Sequence, residues 1–132
     1  MQQEYERLPR EAERIATAVV DAAYSVHRTL GPGLLESVYE ICLAHELEKR
    51  GHRVLKQTPL PVVYDTVKLE AGYRIDLIVD DLVVVEVKSV DGIAPVHEAQ
   101  LLTYLRLSNR RLGFLINFNV ALLKQGIKRM VL

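Results

Sequence analysis

The sequence predicts an α/β or α+β domain, a mixed β-sheet flanked by helices. Three observations predict it. Apolar residues recur at helical spacing from Glu11 to Arg50. Runs rich in Val, Ile, Leu and Tyr follow. A further helical stretch from Pro95 then separates two groups of those runs. The 132 residues suffice for one compact domain and are too few for two, so 1–132 reads as a single domain. Apolar residues make up 49% of the chain, which is enough for a core and argues against wholesale disorder.

The elements follow in order. Ile15, Val19, Ala22, Ala23, Val26 and Leu30 step by three and four, predicting an amphipathic helix over Glu11–Leu30. Gly31-Pro32-Gly33 stops it, because glycine admits positive φ and proline restricts the residue before it. A second helix is expected over Leu34–Arg50, with Leu35, Val38, Tyr39, Cys42, Leu43 and Leu47 on one side and Gly51 just past its end. Val54 to Tyr64 is strand-like but interrupted by Pro59 and Pro61, which suits an edge or irregular strand. Asp65-Thr66 reads as a turn. Leu69–Val79 and Leu82–Val90 flank Asp80-Asp81 as a β-hairpin. Pro95–Asn109 is helical, with Val96, Ala99, Leu102, Leu105 and Leu107 as its apolar positions. Leu112–Phe118 and Ile127–Val131 are the last strands. The strand after the Pro95–Asn109 helix is expected parallel to the strand before it, by a right-handed crossover.

Lys plus Arg and Asp plus Glu both total 17, so the net charge is zero. That argues against a chain that coats nucleic acid over its whole surface, though not against a local basic rim. Arg106, Arg110, Arg111, Lys124, Lys128 and Arg129 form either a solvated face or such a rim. The single cysteine, Cys42, excludes a disulfide framework and a cysteine-based zinc site, and it reads as a small core residue. The polar start of the chain is unlike a signal peptide, and no apolar run approaches a membrane span. A cytoplasmic location is therefore expected. Zero net charge and apolar edge strands permit a homodimer.

Chemistry concentrates on the hairpin. Glu86 and Lys88 interrupt the apolar run Leu82–Val90 and, two residues apart, project from the same face. Burying a charge is costly unless it is paired or holds a metal. The two residues are thus either a solvated surface pair or part of a site. Asp76, an acid between apolar residues on the preceding strand, favours the site, but on one condition. A two-residue turn at Asp80-Asp81 would pair Asp76 with Val85 and put the acids on opposite faces. A shared site therefore needs a three-residue connection, a register of the same parity, or a bulge. Two carboxylates at one point suit Mg²⁺ or Mn²⁺, and a nearby lysine complements a phosphate. Glu36, in the first turn of the second helix, is either a fourth member or an acid favoured there by the helix dipole. Tyr39 shares its face. Gln100 and Tyr104 form an i, i+4 pair on the third helix. His97 either contacts substrate or belongs to the helix start. None of the four histidines forms a zinc-protease pattern, and no phosphate-binding P-loop or serine nucleophile elbow is present.

Together, Asp76, Glu86-Val87-Lys88 and Gln100-Leu101-Leu102-Thr103-Tyr104 resemble the PD-(D/E)XK nuclease superfamily, with its restriction-endonuclease-like fold, and especially the RecB-like branch with a Q-x-x-x-Y motif. Gly33-Leu34-Leu35-Glu36-Ser37-Val38-Tyr39 is similar to the G-x-x-E-x-x-Y signature of a small family within it. The resemblance spans roughly Ile15–Leu132, with Ile75 standing where the superfamily name has proline. It implies metal-dependent hydrolysis of a phosphodiester in DNA or RNA. Asp76, Glu86 and the Val87 carbonyl would ligate Mg²⁺ or Mn²⁺, and Glu36 would contribute directly or through water. Lys88 would position the attacking water or offset developing charge, and Gln100 and Tyr104 would support the site or touch nucleic acid. A fold does not fix a reaction. The alternatives are a module of the same fold that binds nucleic acid or protein without cutting, or a structural subunit whose carboxylates form only a polar network.

Overall fold

The helical spacing near the start of the chain produces two packed helices. The computed structural model describes residues 8–132, so the reading of the extreme N-terminus falls partly outside the described residues. Helix α1 spans Arg10–Leu30 and buries Ile15, Val19, Ala22, Ala23 and Val26. The Gly31 N–H closes it on the His27 carbonyl at φ +68°, a conformation open to glycine. Helix α2 spans Glu36–Lys49 and buries Tyr39, Leu43, Ala44 and Leu47. It starts two residues later than expected. Leu35 precedes it in extended conformation and is exposed. Cys42 is half-buried at the edge of the core.

The strands are β1 Val54–Pro59, β2 Val62–Tyr64, β3 Val67–Leu69, β4 Arg74–Val79, β5 Val83–Lys88, β6 Leu112–Asn117 and β7 Ile127–Val131. Helix α3, Pro95–Leu107, lies between β5 and β6, and a 3₁₀ turn occupies Leu123–Gln125. Five strands form one mixed sheet in the order β1-β4-β5-β6-β7. Strand β6 runs parallel to β5, as the intervening helix predicts, and the other neighbours are antiparallel. Central strands β5 and β6 read as continuous apolar runs because helices cover both faces. Helices α1 and α2 pack on Leu77, Val79, Val83, Val85, Val87, Phe114 and Ile116. Helix α3 packs on Ile78, Val84 and Leu115.

Two expectations change. Leu69 does not open the strand that carries Asp76. It ends β3, which pairs with β2 as a separate ribbon, and Gly72 at φ +84° breaks the path before β4. The buried face of α3 is Leu101, Tyr104 and Leu105, whereas Val96 and Leu107 are exposed. Gly113 explains the choice. A Cβ there would meet Leu101 Cδ1 at 3.0 Å and Leu105 Cδ2 at 3.2 Å, so its absence lets α3 seat on the sheet by that face. Among the described residues, no helix is long and apolar enough to cross a membrane.

Candidate active site

The hairpin meets the parity condition. Val79 pairs with Val83, Ile78 with Val84 and Leu77 with Val85, which leaves Asp80, Asp81 and Leu82 as a three-residue connection. Asp80 and Asp81 take φ of 49° and 63°, a region aspartate tolerates better than most residues. The Leu82 N–H donates to the Val79 carbonyl at 3.1 Å. The turn is anchored from outside. The Asp80 carboxylate accepts from the Arg53 N–H at 2.8 Å and lies 2.6 Å from His52 Nδ1. The Arg110 guanidinium donates to the Asp81 carboxylate at 2.6 Å.

The register carries on to set Asp76 opposite Glu86, and there the ladder stops. Carboxylates take over the backbone donors. Glu86 Oε2 accepts from the Asp76 N–H at 2.9 Å, and Asp76 Oδ2 accepts from the Val87 N–H at 2.9 Å. Glu86 is 4% exposed. Burial, followed by the neighbouring charge of Asp76, pushes its carboxyl up to about 8. Burial likewise raises Asp76, against the Val87 N–H, Gln57 and Lys88, which favour its anion. Lys88, two residues past Glu86 on the same face, is half-exposed at the end of β5.

Tyr39 is fully buried beneath the loop that leads into α2. Its hydroxyl donates to the Gly31 carbonyl at 2.5 Å and accepts from the Leu34 N–H at 3.1 Å. Ser89, next to Lys88, donates to the Leu34 carbonyl at 2.6 Å, so the same loop is tied to the end of β5. Glu36 is exposed as the first residue of α2. Among the described residues, no group of three or more His, Cys, Asp or Glu side chains is arranged to hold one ion, so Glu36 does not complete such a group with Asp76 and Glu86.

Two residues near the carboxylates escaped the reading of the sequence. Glu40 lies one turn after Glu36. Desolvation raises its carboxyl, Gln57 opposes this, and the charges of Asp76 and Glu36 add to the rise. Gln57 Nε2 donates to Glu40 Oε2 at 2.6 Å and to Asp76 Oδ1 at 3.2 Å. The i, i+4 spacing of Glu36 and Glu40 was a signal for the first. Nothing in the segment around Pro59 marked the second.

On α3, over the sheet face that carries Ile78, Val84 and Glu86, Tyr104 is buried. Desolvation raises its phenol, and the charges of Glu86 and Asp76 raise it further, which places it within their field. With Gln100 and Thr103 it lines a groove of about 460 Å³, whose far wall is Tyr73 and Val62. Tyr73 and Tyr104 meet edge to face at 6.4 Å. His97 Nδ1 accepts from the Ala94 N–H at 3.0 Å, so its ring caps the start of α3. Three of the six basic residues named above pair with acids. Arg110 holds Asp81, Arg129 holds Glu13 through two bonds, and Lys128 reaches Glu98.

A mixed sheet flanked by helices, with two acids and a lysine at the end of a central hairpin, defines a nuclease-like α/β protein. The family model of the PD-(D/E)XK nuclease superfamily matches residues 13–130, and the chain belongs to that superfamily. Its members are generally nucleases, hydrolases that typically use divalent metal ions. No curated protein and no solved structure matches the chain.

Proposed function

We propose that this chain is a Mg²⁺- or Mn²⁺-dependent phosphodiesterase that cuts DNA or RNA, within the G-x-x-E-x-x-Y group of the RecB-like branch. One observation carries the reading. Asp76 and Glu86 face each other across a hairpin of the required parity, each carboxylate bound to the backbone of the other's strand. The donor set fits a hard dication. It is all oxygen, it is largely buried, and its two like charges are costly together without a cation.

Asp76, Glu86 and the Val87 carbonyl would hold the ion, and Glu36 would contribute through water. An ion so held supplies Lewis-acid polarisation of the phosphoryl group and lowers the pKa of a coordinated water. Lys88 offsets the negative charge that develops on the phosphoryl oxygens. Gln100 and Tyr104 orient the nucleic acid along the groove beside α3. Tyr39 supports the loop that carries Glu36, and His97 fixes the start of α3. The proposal extends to a cytoplasmic location and a homodimer, in which exposed Leu55 and Val131 on the two edge strands offer apolar surface.

A second reading, a module that binds nucleic acid without cutting it, draws on the absence of a third acid grouped with Asp76 and Glu86 among the described residues. One assay separates the two. Single- and double-stranded DNA and RNA are incubated with Mg²⁺ or Mn²⁺ and wild type, Asp76→Ala or Lys88→Ala. Metal-dependent cleavage lost in both variants supports the enzyme. Retained binding without cleavage supports the module. Cleavage that survives both substitutions rejects the site.

A further inference from the structure

Gln57 is an exposed residue in the middle of edge strand β1, where almost any side chain would serve the strand. Yet its φ is +50°, in the left-handed region that costs a residue with a Cβ free energy. Chain length does not require this. Lys56 pairs with Leu77 and Thr58 with Ile75, so the register passes through Gln57 without a slip and without an extra residue. Only Gln57 and the residue opposite it, Asp76, drop out of the ladder. A regular strand would already put Gln57 on the face of Asp76, its direct cross-strand partner; what accompanies the distortion is a second contact, with Glu40 on α2. One amide nitrogen then donates to both Glu40 Oε2, at 2.6 Å, and Asp76 Oδ1, at 3.2 Å.

The effect on Asp76 is specific. Its Oδ2 is already fixed by the Val87 N–H at 2.9 Å. With Gln57 on Oδ1, both oxygens are held and the carboxylate plane is set, while each oxygen keeps a lone pair for a cation. Glu40, from α2, anchors the amide that does the holding. We infer that Gln57 is a positioning residue that orients Asp76 for a divalent cation, with Glu40, met from a left-handed backbone, as its anchor. The inference rests on the metal-site reading above. Hydrogen-bond partners of ligating carboxylates commonly matter tenfold to a hundredfold in metal affinity.

The strain provides a test that a merely structural role would fail. Gln57→Gly relieves the left-handed backbone and removes the amide. Gln57→Asn keeps an amide and tolerates positive φ, but is one methylene too short. Mn²⁺ alone is titrated calorimetrically into the full chain as wild type, both Gln57 variants, Glu40→Ala and Asp76→Ala, with melting temperatures measured beside. The expected result is Mn²⁺ affinity reduced about tenfold to a hundredfold in both Gln57 variants, with melting temperatures at or above wild type, and a smaller loss in Glu40→Ala. Wild-type affinity in both Gln57 variants, with binding abolished in Asp76→Ala, overturns the positioning role and leaves the metal site standing. A wild-type chain that binds no Mn²⁺ overturns both.

Discussion

Tyr39 lies flat against Phe118, their ring centroids 4.7 Å apart and their planes within 6° of parallel. The stack fixes the ring, so the hydroxyl at its end is aimed at the Gly31 carbonyl and the Leu34 N–H. The last tyrosine of the G-x-x-E-x-x-Y pattern thus holds the loop that starts the pattern. Tyr39→Phe keeps the stack and strands two backbone groups. The expected loss is about 1–3 kcal/mol of stability by chemical denaturation, with faster amide exchange confined to residues 31–35.

Glu86 makes the metal-free protein sensitive to pH. Its carboxyl rises from 4.5 to about 8 on folding. Between those values the folded chain holds a proton that the unfolded chain has released. Stability from this group is therefore complete below about pH 4.5 and withdrawn as pH climbs toward 8. Melting temperature measured with chelator present should fall across that window in wild type and stay flatter in Glu86→Gln.

The same proton competes with a cation. Mn²⁺ affinity of the wild type should rise with pH up to about 8 and level off above it, the value set by Glu86. Calorimetry in buffers of different ionisation heat would count the proton released. An affinity independent of pH across that range would detach Glu86 from the metal.

Asp80 behaves in the opposite sense. Burial opposes its ionisation, but bonds from His52 and the Arg53 N–H win and hold it below its ordinary 3.8. Its stabilisation is present above that value and lost as pH falls through the lowered one. Asp80→Asn tolerates the positive φ and removes only the charge. It should cost about 1 kcal/mol at neutral pH, allowing for partial exposure, and the deficit should shrink in acid.

Gly113→Ala tests the seat of α3. The added methyl would crowd Leu101, Leu105 and the Val84 carbonyl at 3.0–3.3 Å. A loss of about 1–3 kcal/mol is expected. Because α3 also carries Gln100 and Tyr104, binding of nucleic acid should weaken beyond what the lost stability explains.

The sequence was most legible where period and burial agree. Val83–Val87 and Leu112–Asn117 are buried on both faces and read as strands at once. The pairing of Asp76 with Glu86 could be posed as a condition but not answered. The answer depends on Leu82 staying outside the ladder, held by contacts from Arg53, His52 and Arg110 that lie far away in the chain. The sequence reading joins Leu69 to the strand of Asp76, yet Glu70, Ala71 and Gly72 between them are poor strand formers, and Gly72 at φ +84° redirects the backbone there. Gln57 was invisible because its partners, Asp76 and Glu40, come from a neighbouring strand and a helix, and side-chain type does not report such pairing.

The three-residue connection between β4 and β5 also bears on how such a chain can change over generations. Exchanging one residue of the turn for another alters local strain and little else. Removing or adding a single residue there is different in kind, because side chains alternate faces. The acid on one strand would then point away from the acid on the other while a row of valines turned to face the wrong layer. Lineages descended from this hairpin should therefore tolerate varied spelling in the turn, and should lengthen or shorten it by two residues more readily than by one.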